Sequence, residues 1–216
     1  IISLIKTIQD LKREGITPQL FNEAIKHEED TLKLDEILVC YETYQKKLVE
    51  KNRYDFEDMI NLVTSKLSTD EELLRDLQEK YLYILVDEYQ DTNSPQNMVV
   101  NLLANYWGED ANVFVVGDDF QSIYRFQGAS LQNILSFKER FTKAKVISLN
   151  KNYRSQETVI KAMEDVISNN EVKLSDFIEG VNKVQQSEVE LEKTPVEVGH
   201  FSSGITESFF IATKIL

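Results

Sequence analysis

Apolar residues recur at helical spacing throughout residues 1–51, which predicts three helices. The first apolar repeat ends at Gly15. Thr17 and Pro18 then supply an N-cap and a first helical residue for the second helix. The third helix has a longer apolar stripe. Cys40, the single cysteine, lies among its apolar positions, so we expect a core thiol rather than a disulfide partner or a nucleophile. Nothing in this region indicates catalysis.

Two further helices are predicted before the first strand. Asp55 provides an N-cap for a helix that ends near Leu67. Thr69 and Glu72 form the pattern of a capping box, which predicts the start of the next helix.

Two short apolar runs predict parallel strands. Leu82–Val86 is too short for a free-standing helix and predicts a strand buried on both faces, and Asn112–Val116 predicts a second. Between them lies a helical pattern that ends at Trp107, with Ser94 as N-cap and Pro95 as the first helical residue. A strand, a helix and a strand within about thirty residues predict a right-handed βαβ unit.

The rest of the chain continues the alternation of strands and helices. Lys145–Leu149 predicts a third strand, with helices capped by Ser130 and Ser155 on either side. Residues 169–195 are highly charged and weakly periodic, which predicts a mobile connection with one helical turn. The last two predicted elements are a strand at Val196–Phe201 and a helix from Thr206.

Composition indicates a folded, globular chain. Its 216 residues are 42% hydrophobic and 28% charged, enough for one large domain or pieces of two. There is no apolar run of about 20 residues and no signal-peptide pattern at the start, so we expect a cytoplasmic protein.

The net charge of −13 argues against bulk electrostatic attraction to nucleic acid. The charge is uneven, however, because residues 138–161 contain seven basic side chains and two acidic ones. This segment fits a locally positive groove or a solvated basic face equally well.

Acidic residues follow both predicted strands. Asp87 and Glu88 close the first strand, and Gly117, Asp118 and Asp119 follow the second. Ligands of open parallel sheets bind beyond the carboxyl ends of the strands. An acidic pair there can hold hydrated magnesium through one carboxylate and polarise an attacking water through the other. The alternative for Asp87 and Glu88 alone is that they merely begin a loop.

Three segments at predicted strand ends resemble the second, third and fourth helicase motifs of superfamily 1 DNA helicases of the UvrD/Rep type. They are DEYQDTN at 87–93, GDDFQSIYRFQGA at 117–129 and NYRS at 152–155. The resemblance extends upstream to YDFEDMI at 54–60 and KREGITP at 12–18, and it is strongest between Tyr54 and Ala162.

The resemblance implies an α/β fold of the P-loop NTPase class. The expected fold is a RecA-like parallel sheet with flanking helices, plus an N-terminal helical insertion. Residues 1–50 would end the insertion, residues 51–149 would form the latter part of the first RecA-like domain, and residues 150–216 would begin the second.

The resemblance also implies an ATP site, with ATP and Mg²⁺ as cofactors. Asp87 would hold the magnesium through water, and Glu88 would be the general base for the water that attacks the γ-phosphate. Gln121 would sense the γ-phosphate. Arg154 would act as an arginine finger, and Tyr153 would stack on the adenine.

Single-stranded DNA and single-strand/double-strand junctions are the implied partners, with no membrane association. Tyr124 and Phe126 would stack on the bases of a single strand. The alternative for these two aromatic residues is a place in the core at helical spacing.

The sequence departs from the family pattern in several places. Phe120 replaces an acid and Gln127 replaces an arginine, and the lost positive charge beside the DNA path is expected to weaken coupling. None of the seven glycines is followed by lysine, so the phosphate-binding GxxxxGK[ST] loop is missing from this chain, as are the fifth and sixth motifs. The chain begins with Ile1 and its last helical pattern has no closing cap.

We therefore expect an internal piece of an ATP-dependent DNA helicase that acts in repair or replication, inactive as an isolated fragment. Two alternatives stay open. One is a non-catalytic module that binds single-stranded DNA or another protein, and the other is the helicase part of a helicase–nuclease.

Overall fold

The structure is a computed structural model that describes residues 2–28, 32–118, 121, 131–169, 178, 184–190 and 194–215. The chain divides into two compact units, residues 1–145 and 146–216, and each is described by itself. The division into an insertion and two RecA-like parts stays a prediction. No described helix combines the length and apolarity needed to cross a membrane.

The first unit opens with three helices, as the sequence predicts: α1 (Ile2–Arg13), α2 (Pro18–Ile25) and α3 (Leu32–Glu50). The Thr17 hydroxyl accepts the N–H of Leu20 at 3.3 Å and caps α2 as predicted. The prediction of a core thiol is wrong, because Cys40 is exposed. Leu38 and Tyr41 form the buried side of α3, and successive residues are about 100° apart, so Cys40 faces away from both.

Helices α4 (Phe56–Thr69) and α5 (Glu71–Lys80) follow. Asp55 caps α4 as predicted, within a reciprocal capping box with Asp58. The predicted box of Thr69 and Glu72 is wrong, because Thr69 is still helical and donates to the Ser65 carbonyl at 2.9 Å. Asp70 caps α5 instead, and its carboxylate accepts the N–H of Leu73 at 3.0 Å.

The βαβ unit of the first part consists of β1 (Ile84–Val86), α6 (Ser94–Ala104) and β2 (Val113–Val115). The strands pair in parallel, as predicted, with Ile84 opposite Val113 and Val86 opposite Val115. Asn93 rather than Ser94 is the N-cap of α6, because its side chain accepts the N–H of Gln96 at 3.0 Å.

Burial of these strands on both faces is a wrong prediction. Leu85 is 74% exposed and its register partner Phe114 is 56% exposed, whereas the alternate residues of both strands are half-buried. Among the described residues, the helices of this unit therefore cover one face of the pair, and the other face is largely exposed.

Helix α7 (Leu131–Arg140) packs against the turn that follows β1. The Phe137 ring lies edge-on to buried Tyr89, with centroids 5.6 Å apart, and 4.8 Å from the Phe141 ring. The predicted cap, Ser130, lies outside the described residues. This aromatic contact fixes the backbone next to the acidic pair.

A buried lysine joins α1, α3 and the start of α4. Lys12 is only 1% exposed. Its ammonium lies 2.5 Å from Asp55 Oδ2, 2.7 Å from Asp58 Oδ1 and 3.0 Å from Gln45 Oε1. A buried charge is tolerated only when it is paired and hydrogen-bonded, and here three oxygens satisfy the three donors of the ammonium.

The same cluster changes the titration of its acid. Burial raises the pKa of Asp55, but hydrogen bonds from Lys12, the Asp58 backbone and Tyr44 outweigh burial, so the pKa lies below its usual value. Burial and the two nearby aspartates raise the pKa of Tyr41. The KREGITP and YDFEDMI segments are thus joined through charge pairing as well as packing.

The second unit contains β3 (Lys151–Asn152), α8 (Glu157–Ile167), β4 (Gln186–Ser187) and α9 (Gly204–Ile215). Strands β3 and β4 pair in parallel, so part of the predicted connection at 169–195 is a strand. The helical turn predicted in that connection falls on residues of which most lie outside the described ones.

Two predicted strands of this unit are wrong. Residues 145–149 and 196–201 have no regular secondary structure, and the N-cap position of α8 is Gln156 rather than Ser155. Ile147 and Leu149 are 73% and 79% exposed. Apolar or alternating residues form a strand only where a neighbouring backbone completes a regular hydrogen-bond ladder, and neither segment forms a regular ladder.

We expect Lys12→Met to lower the free energy of unfolding by about 3 kcal/mol, because it leaves two carboxylates without their buried partner. Lys46→Met, at a 78% exposed lysine of α3 that lies 4.0 Å from Glu50, is expected to cost under about 1 kcal/mol. Urea unfolding monitored by circular dichroism measures both values. Equal losses in the two variants would contradict a stabilising role of the cluster.

Candidate active site

The carboxyl ends of β1 and β2 are held side by side. The Val116 N–H donates to the Val86 carbonyl at 2.8 Å, and the Tyr89 N–H donates to the Val116 carbonyl at 2.9 Å. These bonds extend the contact beyond the paired strands, so Asp87 and Glu88 lie beside Gly117 and Asp118. Parallel pairing therefore brings the two acidic segments to one edge, as the sequence predicts.

Glu88 has an unusual backbone conformation for a residue with a side chain. Its φ of 49° and ψ of 44° lie in the left-handed region, which costs about 1 kcal/mol for a non-glycine residue. Two hydrogen bonds hold it: the Glu88 N–H donates to Asp87 Oδ1, and the Asp91 N–H donates to the Glu88 carbonyl, both at 2.9 Å. The sharp turn leaves both carboxylates exposed at the strand end.

Gln90 connects the two strand ends and is a residue that the sequence analysis missed. It is 1% exposed. Its Nε2 donates to Glu88 Oε2 at 2.7 Å, and its Oε1 accepts the N–H of Asp118 at 2.9 Å. The sequence did offer one signal for this role: Gln90 is an amide residue two positions after the acidic pair, in the short segment between β1 and α6.

Gln121 belongs to the same cluster. Its Nε2 donates to Asp118 Oδ2 and its backbone N–H donates to the Asp118 carbonyl, both at 3.0 Å. A continuous series of hydrogen bonds thus runs from Glu88 through Gln90 and Asp118 to Gln121. Of the predicted site residues, Asp87, Glu88 and Gln121 come together here.

The remaining predicted site residues are not tested by this geometry. Tyr153 and Arg154 belong to the second unit, where both are exposed and where Asn152 Oδ1 accepts the N–H groups of Arg154 and Ser155 at 2.9 Å each. Tyr124 and Phe126, like Phe120 and Gln127, lie outside the described residues. Their roles stay predictions.

The donor set at the strand ends suits a hard cation. Within the described ranges there is no group of three or more His, Cys, Asp or Glu side chains that could hold a metal ion. Mg²⁺ commonly takes one or two carboxylates and completes its shell with water and substrate phosphates, and the exposed oxygens of Asp87 fit that mode of binding.

Several cations of the basic segment already have acidic partners. The Lys143 ammonium lies 3.1 Å from Glu109 Oε2, whose hydrogen bond raises the pKa of the lysine, and Lys151 lies 2.7 Å from Glu188 Oε1. Pairing of this kind favours the solvated basic face over a positive groove at these two lysines.

Comparison with known proteins agrees with the family that the three motifs resemble. Residues 2–142 match the family of the UvrD/REP helicase N-terminal domain. The ATP-dependent DNA helicase PcrA of Bacillus subtilis is 40% identical over 168 residues, which are 78% of this chain and 22% of the relative. PcrA of Staphylococcus epidermidis is 37% identical over 197 residues, which are 89% of this chain and 26% of the relative.

This chain belongs to the UvrD/Rep helicase family. The family predicted from the three motifs is thereby confirmed. The chain spans about a quarter of the length of the curated PcrA helicases that it matches.

Gly117→Ala is expected to destabilise the strand ends by about 1–3 kcal/mol through overpacking. A Cβ there would lie 2.8 Å from Gln90 Oε1 and 3.3 Å from the Gln90 backbone nitrogen. Gly204→Ala is the control, because a Cβ at that position has nothing within 4 Å. Thermal unfolding compares the two variants, and an unchanged midpoint for Gly117→Ala would contradict the close packing.

Proposed function

We propose that this chain is part of an ATP-dependent DNA helicase and contributes catalytic residues to its ATPase site. The observation that carries the proposal is the hydrogen-bonded cluster that joins Glu88 to Gln121 in a member of the UvrD/Rep family. An acid positioned beside a polar side chain that can contact phosphate is the arrangement that nucleotide hydrolysis requires.

In this proposal Glu88 accepts a proton from the attacking water. The water oxygen then forms a bond to the γ-phosphorus, and the bond from that phosphorus to the bridging oxygen of ADP breaks. Asp87 would hold Mg²⁺ through water, and such an ion would supply positive charge beside the phosphates. Gln121 contacts the γ-phosphate, Arg154 stabilises the charge of the transition state, and Tyr153 stacks on the adenine.

The proposed architecture is RecA-like. The parallel pair β1–β2 with its crossover helix α6 supports this, since the P-loop class is built from such units. Residues 1–50 would then belong to the helical insertion, 51–149 to the first RecA-like domain and 150–216 to the second. The phosphate-binding loop, which is missing from this chain, would come from elsewhere in the intact protein.

The proposed substrate is single-stranded DNA, including single-strand/double-strand junctions. Tyr124 and Phe126 would stack on successive bases, where aromatic faces bind without reading sequence. Stacking also suits a chain with a net charge of −13, because it does not depend on a broadly basic surface. ATP hydrolysis would drive movement along the strand by closing and opening the two domains.

A non-catalytic module is the second candidate function. Phe120 and Gln127, which replace an acid and an arginine of the family pattern, are the observations that favour it. A protein of this kind would bind single-stranded DNA without turnover.

The ATPase of the intact protein that contains this chain should be stimulated by single-stranded DNA. Glu88→Gln removes the general base and is expected to lower kcat at least 100-fold. Arg154→Ala removes the arginine finger and is expected to lower kcat by about 1,000-fold or more. Steady-state phosphate release with and without oligonucleotide measures these effects.

Glu79→Gln and Arg75→Ala are matched controls, because both side chains are exposed on α5, away from the strand ends. They are expected to retain wild-type turnover. A correctly folded intact protein that binds single-stranded DNA but releases no phosphate would refute the helicase proposal and favour the non-catalytic module.

The present 216-residue chain alone is expected to show no magnesium-dependent ATP turnover, because it lacks the glycine-rich loop that cradles the phosphates. Purified chain assayed at high concentration tests this. Turnover that disappears in Glu88→Gln would contradict the prediction, whereas turnover that persists in that variant would indicate a contaminating enzyme.

A further inference from the structure

Gln90 is among the most deeply buried polar side chains of the first unit, although it lies between two exposed carboxylates in the sequence. Both ends of its amide are in use. The donor end contacts Glu88 Oε2 at 2.7 Å and Asp91 Oδ2 at 3.4 Å, and the acceptor end receives the N–H of Asp118 at 2.9 Å. A buried amide with this orientation can fix the position of whatever it bonds.

We propose that Gln90 is a positioning residue of the ATPase site. It holds the Glu88 carboxylate at the strand end and joins it to the backbone that carries Asp118 and Gln121. This inference rests on the proposed function, because positioning matters only if Glu88 acts on a bound water.

Glu88 needs such a partner. Its side chain is exposed, and a glutamate has three rotatable side-chain bonds, so the carboxylate would otherwise sample many orientations. A hydrogen bond to an ionised acceptor is stronger than a neutral one, and the 2.7 Å contact with Gln90 is short enough to select one orientation. The left-handed backbone at Glu88 points the residue toward this contact and away from an extended continuation of β1.

Gly117 makes room for the amide. A Cβ at Gly117 would come within 2.8 Å of Gln90 Oε1, so only glycine allows the acceptor end to reach the Asp118 N–H in this geometry. The Gln90 amide therefore occupies the space that a side chain at Gly117 would fill.

The arrangement links two functions of the site. Gln121 donates to both the carboxylate and the backbone carbonyl of Asp118. A shift of Asp118 therefore moves Gln121, and it also moves the Asp118 N–H that donates to Gln90. Gln90 transmits that shift to the Glu88 carboxylate. The general base and the residue proposed to contact the γ-phosphate thus move together rather than independently.

The test compares Gln90→Met, Gln90→Glu and Gln78→Met in the intact protein. Methionine removes both bonds, and glutamate keeps the acceptor for Asp118 but replaces the donor with a carboxylate that faces Glu88. Gln78 is the matched control, because it is 6% exposed and its amide donates to the Leu102 carbonyl at 2.8 Å, away from the strand ends.

Both Gln90 variants are expected to lose about 10-fold to 100-fold in kcat, with KM for ATP within about twofold of wild type, because a misplaced general base affects chemistry more than binding. Gln78→Met is expected to lose thermal stability and keep kcat. Hydrogen exchange over residues 116–121 should be faster in Gln90→Met and unchanged in Gln90→Glu, which keeps the Asp118 bond.

Wild-type kcat in Gln90→Met, or equal losses of kcat in Gln90→Met and Gln78→Met, would overturn the positioning role. Gln90→Glu provides the same test if the methionine variant does not fold. Failure of the proposed function has a different signature: wild-type protein would release no phosphate and Glu88→Gln would change nothing. The hydrogen-exchange measurement does not depend on ATPase activity. If exchange over residues 116–121 were unchanged in Gln90→Met, the hydrogen bond between Gln90 and Asp118 would have no structural role.

Discussion

The parallel pairing of β1 with β2 is the constraint on which the candidate site depends. It sets Ile84 opposite Val113 and Val86 opposite Val115, so the two strands end level with each other. Only then do the acids that follow β1 meet the segment that follows β2. A slip of one residue would move the Asp118 N–H by about 3.3 Å, out of reach of Gln90, because that is the rise of one strand residue. The geometry of the candidate site therefore depends on the register of the two strands.

The helices around the pair serve that register in different ways. Crossover helix α6 begins with a capping box at Asn93 and Gln96, which fixes where the chain leaves the acidic turn. Phe137 of α7 packs on Tyr89 and holds the same turn from the other side. Farther away, buried Lys12 joins α1 and α3 to the start of α4 through its contacts with Asp55, Asp58 and Gln45. A cap and an aromatic contact therefore hold the acidic turn, and charge pairing holds the helices of the same unit together.

The sequence was sufficient for the helices, for the parallel pair and for the acids at one edge, because apolar periodicity and caps such as Thr17 and Asp55 are local signals. It failed where the outcome depends on neighbours distant in sequence. Residues 145–149 have the apolar pattern of a strand but form no regular secondary structure, and β4 is too short to produce a pattern. Cys40 is apolar in type but sits on the exposed side of its helix. Gln90 escaped notice because the importance of its amide depends on Asp118, 28 residues away.

The open face of the β1–β2 pair has a consequence for handling the chain. Leu85 and Phe114 stand next to each other in the register and are largely exposed, as is Tyr83 at 71%. Within the part of the chain that the structure describes, no third strand pairs with β1 or β2, and an unpaired edge beside an exposed apolar face is a template for association with other chains. We therefore expect concentrated preparations of the isolated 216-residue chain to self-associate through this face. The contact surface would consist of the large apolar side chains of Tyr83, Leu85 and Phe114. Mild detergent, which covers apolar side chains, should therefore prevent the association better than added salt.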